Sequence, residues 1–152
     1  MRLRRDYLNE TVMENASFKG ANLSGASLNN AQSEYLDLRT ANLSSAQIMN
    51  VYMRCANLTE AILLNAHLNG ADLTSACLIR ANLCGADLTN AHLSGADFTS
   101  AIMSGATLTG ANLTCAKYCR VPGYETVFPD DFDPEEHNMI DVDERGNPIK
   151  KE

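Results

Sequence analysis

The sequence predicts an all-β fold, a chain wound into a quadrilateral β-helix around a solid apolar shaft. Three observations predict it. An apolar centre recurs at every fifth position for 24 units, from Leu3 to Tyr118, with Ser33 as the single polar exception. Two places before the centre, 19 of the 24 positions hold alanine. Two places after it, half of the units hold glycine or asparagine, the residues that enter a left-handed backbone at least cost.

A period of five fits neither a helix nor a flat strand. In a helix five residues advance by about 500°, so the leucines would scatter around the whole circumference. A chain that turns a corner every five residues instead points both the centre and the alanine inward. Four such runs close a square. The 24 units then make about six coils of 20 residues, each stacked on the next at about 4.8 Å by strand-type hydrogen bonds. Large centres stack on large centres, and alanines fill the corners. The residue two after the centre occupies the positive-φ place of a type II turn.

The run A-(N/D)-L-x-x, as in Ala41-Asn42-Leu43, Ala71-Asp72-Leu73, Ala86-Asp87-Leu88 and Ala111-Asn112-Leu113, resembles the pentapeptide repeat protein family. The resemblance covers about residues 1–120 and implies that the quadrilateral β-helix is right-handed. The later segment with Ala116, Tyr118, Thr126, Phe128, Pro129, Phe132, Asp133, Pro134 and Met139 is similar to the tails of cyanobacterial members.

The repeat departs from itself in a few places. Ser33 puts a hydroxyl at a centre, and Leu36 puts a large side chain at an alanine corner one unit later; a small centre leaves room for the neighbouring leucine. Val51 overfills a second corner. At the start, Arg2, Arg4 and Arg5 are expected to guard the exposed strand edge. At the far end Val121-Pro122-Gly123 breaks the count, and residues 121–152 form an acidic C-terminal tail, partly capping and partly disordered. Tyr124, Val127, Phe128, Phe132, Met139 and Ile140 are expected to lie over the last coil. Asp133-Pro134-Glu135-Glu136 reads as the start of a short helix, and residues 143–148 as a turn between extended flanks.

Charge and composition narrow the function. Residues 1–120 carry nine Lys/Arg against nine Asp/Glu, and residues 121–152 carry three against ten, so the whole net charge of −7 sits in the tail. No basic face exists for nucleic acid. Nor does dense negative charge run along the rod, as mimicry of a DNA duplex requires; inhibition of DNA gyrase, which the family resemblance brings in, is therefore the alternative reading. Five cysteines without shared spacing argue against a disulfide framework and for a reducing, cytoplasmic setting. No apolar h-region follows the basic N-terminal residues, so no secretory signal is expected, and no stretch of about 18 apolar residues is present to span a membrane.

Stacking by 20 sets His67 over Asp87 and Asp72 over His92, the only His–carboxylate pairs in the repeats. A solid shaft offers them no nucleophile and no dry pocket, so no catalytic residue, metal or cofactor is expected. What remains is a rigid scaffold for an unidentified protein partner. Tyr52, Ile62, Leu64, Ile79 and Ile102 are apolar residues at outward positions and form the candidate interaction patch.

Overall fold

The computed structural model describes residues 8–150; Arg2, Arg4 and Arg5, the expected edge guards, lie outside the described residues. From Val12 to Lys117 the residue before each centre forms a parallel bridge to the residue 20 further on, as in Val12 to Gln32, Asn42 to Ile62 and Asp97 to Lys117. Twenty residues with four corners thus raise the chain by one strand spacing, and the result is a four-sided β-helix.

Its hydrogen bonds explain the repeat residue by residue. In the unit at 41–45, the Leu43 amide donates to Ile62 O (2.7 Å), the Ser45 amide donates to Leu64 O (2.8 Å), and the Ile62 amide returns to Ala41 O (2.9 Å). A fourth bond closes the corner: the Ala46 amide donates to Leu43 O (3.0 Å). That leaves one amide per unit, on the residue after the centre. The Asn or Asp before the centre meets it with its side chain. Asn42 Oδ1 accepts from the Ser44 amide at 3.0 Å, and Asn57, Asp72, Asn82, Asp87, Asp97 and Asn112 likewise cap the amide two residues on. The A-(N/D)-L signature is therefore an Asx turn, which completes the accounting of backbone donors.

Every fifth residue from Glu10 to Cys115 has positive φ, between 51° and 69°. Twelve of these 22 corners are the Gly and Asn that the sequence analysis singled out. The others, among them Tyr35, Thr40 and Arg80, hold the same conformation at a cost of about 1 kcal/mol each. Corners so close together leave room for single bridges instead of long strands. Among the described residues the strands are β1 (Lys117–Cys119) and β2 (Ile140–Val142), paired parallel.

The shaft is almost wholly apolar: the centres from Leu28 to Met103 are fully buried, with alanines between them at most corners. Ser33, Leu36 and Val51 are also fully buried. Ser33 Oγ has no hydrogen-bond partner among the described residues.

The tail continues the stacking with its count broken. Val127 takes the bridging place above Ile102, and Ile140 takes it above Lys117, so the tail covers two of the four sides. Thr126 Oγ1 ties it down, donating to Phe98 O (2.8 Å) and accepting from the Cys119 amide (3.1 Å). Phe128 meets the Tyr118 ring edge-on at 5.7 Å and stacks on Phe132 at 4.9 Å. Two expectations need correction. Tyr124 is exposed instead of packed over the coil. No helix follows Asp133: residues 134–138 are turns, ended by a bond from the Met139 amide to Pro134 O (3.1 Å) and by Asn138 at φ 54°. The chain has to return at once to pair Ile140 with Lys117, which leaves a single turn's length.

Candidate functional site

A solid shaft confines any function to the four walls, and the 20-residue spacing sorts the sequence onto them. One wall is built from 21–25, 41–45, 61–65, 81–85 and 101–105. Among the described residues it carries no Asp, Glu, Lys, Arg or His. The wall preceding it in the chain, 36–40 through 116–120, carries the ion pairs: Arg39 with Asp37 (2.8 Å), Arg80 with Glu60 (3.6 Å) and Lys117 with Asp97 (3.9 Å). Depletion of charge marks the core of protein interfaces.

The uncharged wall also holds most of the apolar patch. Ile62 and Ile102 stand in one outward column with Asn82 between them and Val127 of the tail above. All three apolar residues are 39–40% exposed. Leu64 lies half-buried one place past the Leu63 centre, and Ile79 half-buried at the corner that leads onto this wall. Tyr52, grouped with them on the sequence, belongs elsewhere. It sits in the column Gln32–Tyr52–Asp72–His92, on the opposite wall.

The position of these residues carries a cost. Ile62, Ile102 and Tyr52 occupy the place that Asn or Asp fills in the capped units. Isoleucine carries no acceptor and the Tyr52 hydroxyl takes no bond from the turn, so the amides of Leu64, Ser104 and Arg54 find no acceptor among the described residues. Each substitution gives up a cap and puts an apolar side chain in water. Packing of the tube does not explain that choice.

The opposite wall, 11–15 through 111–115, holds two residues the sequence analysis missed. Val12 (68% exposed), Tyr35 (58%) and Tyr52 (54%) share it. Both were readable from the count: Val12 falls at an outward position, and Tyr35 at a positive-φ corner where a bulky residue is uncommon.

The histidine–carboxylate pairs are vertical neighbours, as the spacing implies, but no ion pair within 4.0 Å joins them among the described residues. Asp87 instead accepts from the Thr89 hydroxyl at 2.6 Å, which with the Thr89 amide and the Asn69 side-chain amide holds its carboxyl below the usual range. Asp37 is held lower still, chiefly by the Arg39 guanidinium at 2.8–2.9 Å. The cysteines are all free thiols, and burial pushes Cys119 up. Among the described residues no cluster of His, Cys, Asp and Glu could hold a metal ion, and no helix is long and apolar enough to cross a membrane.

Comparison with known proteins gives one consistent answer. The family description "Pentapeptide repeats" matches eight copies over residues 7–32, 52–90 and 76–114. Among solved structures, similarity extends to HetL, a pentapeptide repeat protein involved in heterocyst differentiation regulation from Nostoc sp. strain PCC 7120. It is 34% identical over 75% of this chain with a TM-score of 0.49, and this chain spans 60% of its length. A pentapeptide repeat protein from the cyanobacterium Cyanothece 51142 is 24% identical, covering 92% of this chain and 93% of that one, with a TM-score of 0.53. QnrB1, a plasmid-mediated fluoroquinolone resistance protein, is 18% identical, covering 94% of this chain and 87% of that one, with a TM-score of 0.59. No curated protein matches.

Proposed function

The chain belongs to the pentapeptide repeat family, and from that premise we propose that it is a non-enzymatic, rigid docking module that receives a protein partner on its uncharged wall. One observation carries this reading. Ile62 and Ile102 stand where an Asx cap would stabilise the turn, and they expose apolar surface in its place. Leu64, Ile79 and Val127 border them and widen the contact. The solenoid supplies rigidity, so docking orders little beyond the side chains.

The finer architecture belongs to the same reading: about six right-handed coils over residues 1–120, with residues 121–152 as an acidic tail that caps the last coil in part. Five free thiols suit a reducing compartment, which we take to be the cytoplasm. Neither nucleic acid nor membrane has a matching surface in this reading.

Inhibition of DNA gyrase by duplex mimicry is the alternative. The QnrB1 likeness supports it at the level of fold alone. Its charge requirement is met poorly, since one wall is uncharged and another carries Arg39, Arg80 and Lys117.

The test compares affinity capture by the full chain with capture by an Ile62→Asn, Ile102→Asn variant, quantified by mass spectrometry. A protein retained by the native wall and lost from the variant is the expected result. Identical retention would reject the wall, and inhibition of gyrase supercoiling at micromolar protein would favour the alternative.

A further inference from the structure

The wall opposite the uncharged one carries a different chemistry. Asn50, Val51, Tyr52, Gly70, Asp72 and His92 line a shallow surface cavity of about 210 Å³. Its two recognition groups are the exposed Tyr52 ring and, one level above in the same column, the Asp72 carboxylate. Asp72 differs from the other carboxylates at its place in the repeat. Asp37 pairs with Arg39 and accepts from Ser17; Asp87 accepts from Asn69 and Thr89; Asp97 accepts from Thr99 and pairs with Lys117. Asp72 uses Oδ1 for the Thr74 amide at 3.0 Å, and its second oxygen has no partner among the described residues. The charged groups on the rest of this wall are Glu14, Glu34 and Arg54, which leave it net negative with Asp72.

We propose that this cavity seats a cationic side chain, a guanidinium foremost, from an extended segment of a partner protein. A planar guanidinium stacks on the Tyr52 ring while donating to the free Asp72 oxygen, the pairing that suits arginine better than lysine. The apolar ground below fixes the rest of the segment. Val12 lies two levels under Tyr52 and three under Asp72 in the same column, about 10–14 Å away by the strand spacing, which an extended chain covers in about four residues with both ends on one face. The segment therefore presents a cation and, four residues along, an apolar side chain. The inference rests on the reading of the protein as a docking module and adds a second surface with its own ligand chemistry.

Asp72→Asn separates recognition from folding. Asn42, Asn57, Asn82 and Asn112 already make the same cap in other units, so the variant keeps the Thr74 bond and loses only the charge. The probe is a synthetic extended peptide, acetyl-Leu-Thr-Thr-Thr-Arg-Thr-amide, titrated into the ¹⁵N-labelled full chain. Its control carries citrulline, a neutral isostere, in place of arginine. The expected result is a set of shifts confined to the amides of Val12, Tyr52, Gly70, Asp72 and His92. Affinity should fall about fivefold with citrulline, with Asp72→Asn, and with Tyr52→Gln. Equal binding of both peptides, or shifts centred on another wall, would overturn the assignment. The two readings also fail separately. A captured partner lost from the Ile62→Asn, Ile102→Asn variant but held unchanged by Asp72→Asn removes the cationic site and leaves the uncharged wall standing. A partner indifferent to both removes both.

Discussion

Ser33→Ala should stabilise the protein. Ser33 is fully buried at a position where every other described unit carries an apolar centre, and its Oγ has no hydrogen-bond partner among the described residues. Burying an unpaired hydroxyl costs about 1–3 kcal/mol. Removing the oxygen relieves that cost and leaves a void of one atom, worth a few tenths of a kcal/mol at roughly 24 cal/mol per Å³. The net expectation is a gain of about 1 kcal/mol. For a chain of this length that raises the melting temperature by about 2–4 °C. Guanidinium unfolding should show a higher midpoint at unchanged m. Because solenoids open repeat by repeat, amide exchange gives the local reading. The amides of Met13, Ser33 and Met53, which donate to Gln32, Tyr52 and Asp72 at 2.7–2.8 Å, should exchange more slowly in the variant. A lower midpoint with faster exchange at these sites would refute the reasoning, since it would mean the hydroxyl is satisfied by a trapped water that the alanine evicts.

Three further outcomes follow from the same geometry. Ile62→Asn and Ile102→Asn should each stabilise by about 0.5–1 kcal/mol in thermal unfolding, because each restores an Asx cap and removes exposed apolar surface. Gly70→Ala should cost more than Gly105→Ala: both have φ near +66°, but a Cβ at Gly70 collides with Asn50 Oδ1, whereas nothing lies within 4 Å of one at Gly105. Equal losses on denaturant unfolding would count against that contact. Asp37 and Asp87 have carboxyls depressed in the folded state, so the stability they contribute is present above the unfolded value of 3.8 and disappears as pH falls through their lower folded values. The melting temperature should drop on that acid limb, and Asp37→Asn should flatten it.

The tube was legible because the five-residue beat is uninterrupted, and one count assigns every residue from 8 to 120 to a wall, a corner or the shaft. The reason for Asn and Asp before the centre was not legible. That place matters through one backbone amide per unit, and only the hydrogen-bond pattern shows which amide is left over. The tail was legible as composition but not as register. Val127 lies 25 residues past Ile102, and Ile140 lies 23 past Lys117, so loops of unequal length hide where stacking resumes. The same count that placed Ile62 under Ile102 also sends Tyr52 to the far wall. Grouping it with them followed residue type where column number should have decided.

Size then limits what one wall can do. Five levels at about 4.8 Å make a strip roughly 24 Å tall, and three extended residues between corners make it about 10 Å wide. A flat strip of that size offers on the order of 250 Å², while a stable protein interface needs about 800 Å² from each partner. The uncharged wall alone therefore supports a weak contact. A tight one must run past an edge of the strip, and two of its edges differ. Ile79 leads towards the wall of ion pairs, where Arg80 and Glu60 stay half-exposed and costly to desolvate. Val127 leads upward onto the tail. The column Ile62–Asn82–Ile102–Val127 carries no charge, so a partner that binds tightly is one that climbs from Ile62 past Ile102 to the tail. Its affinity should then fall further with Val127→Asp than with Ile79→Asp.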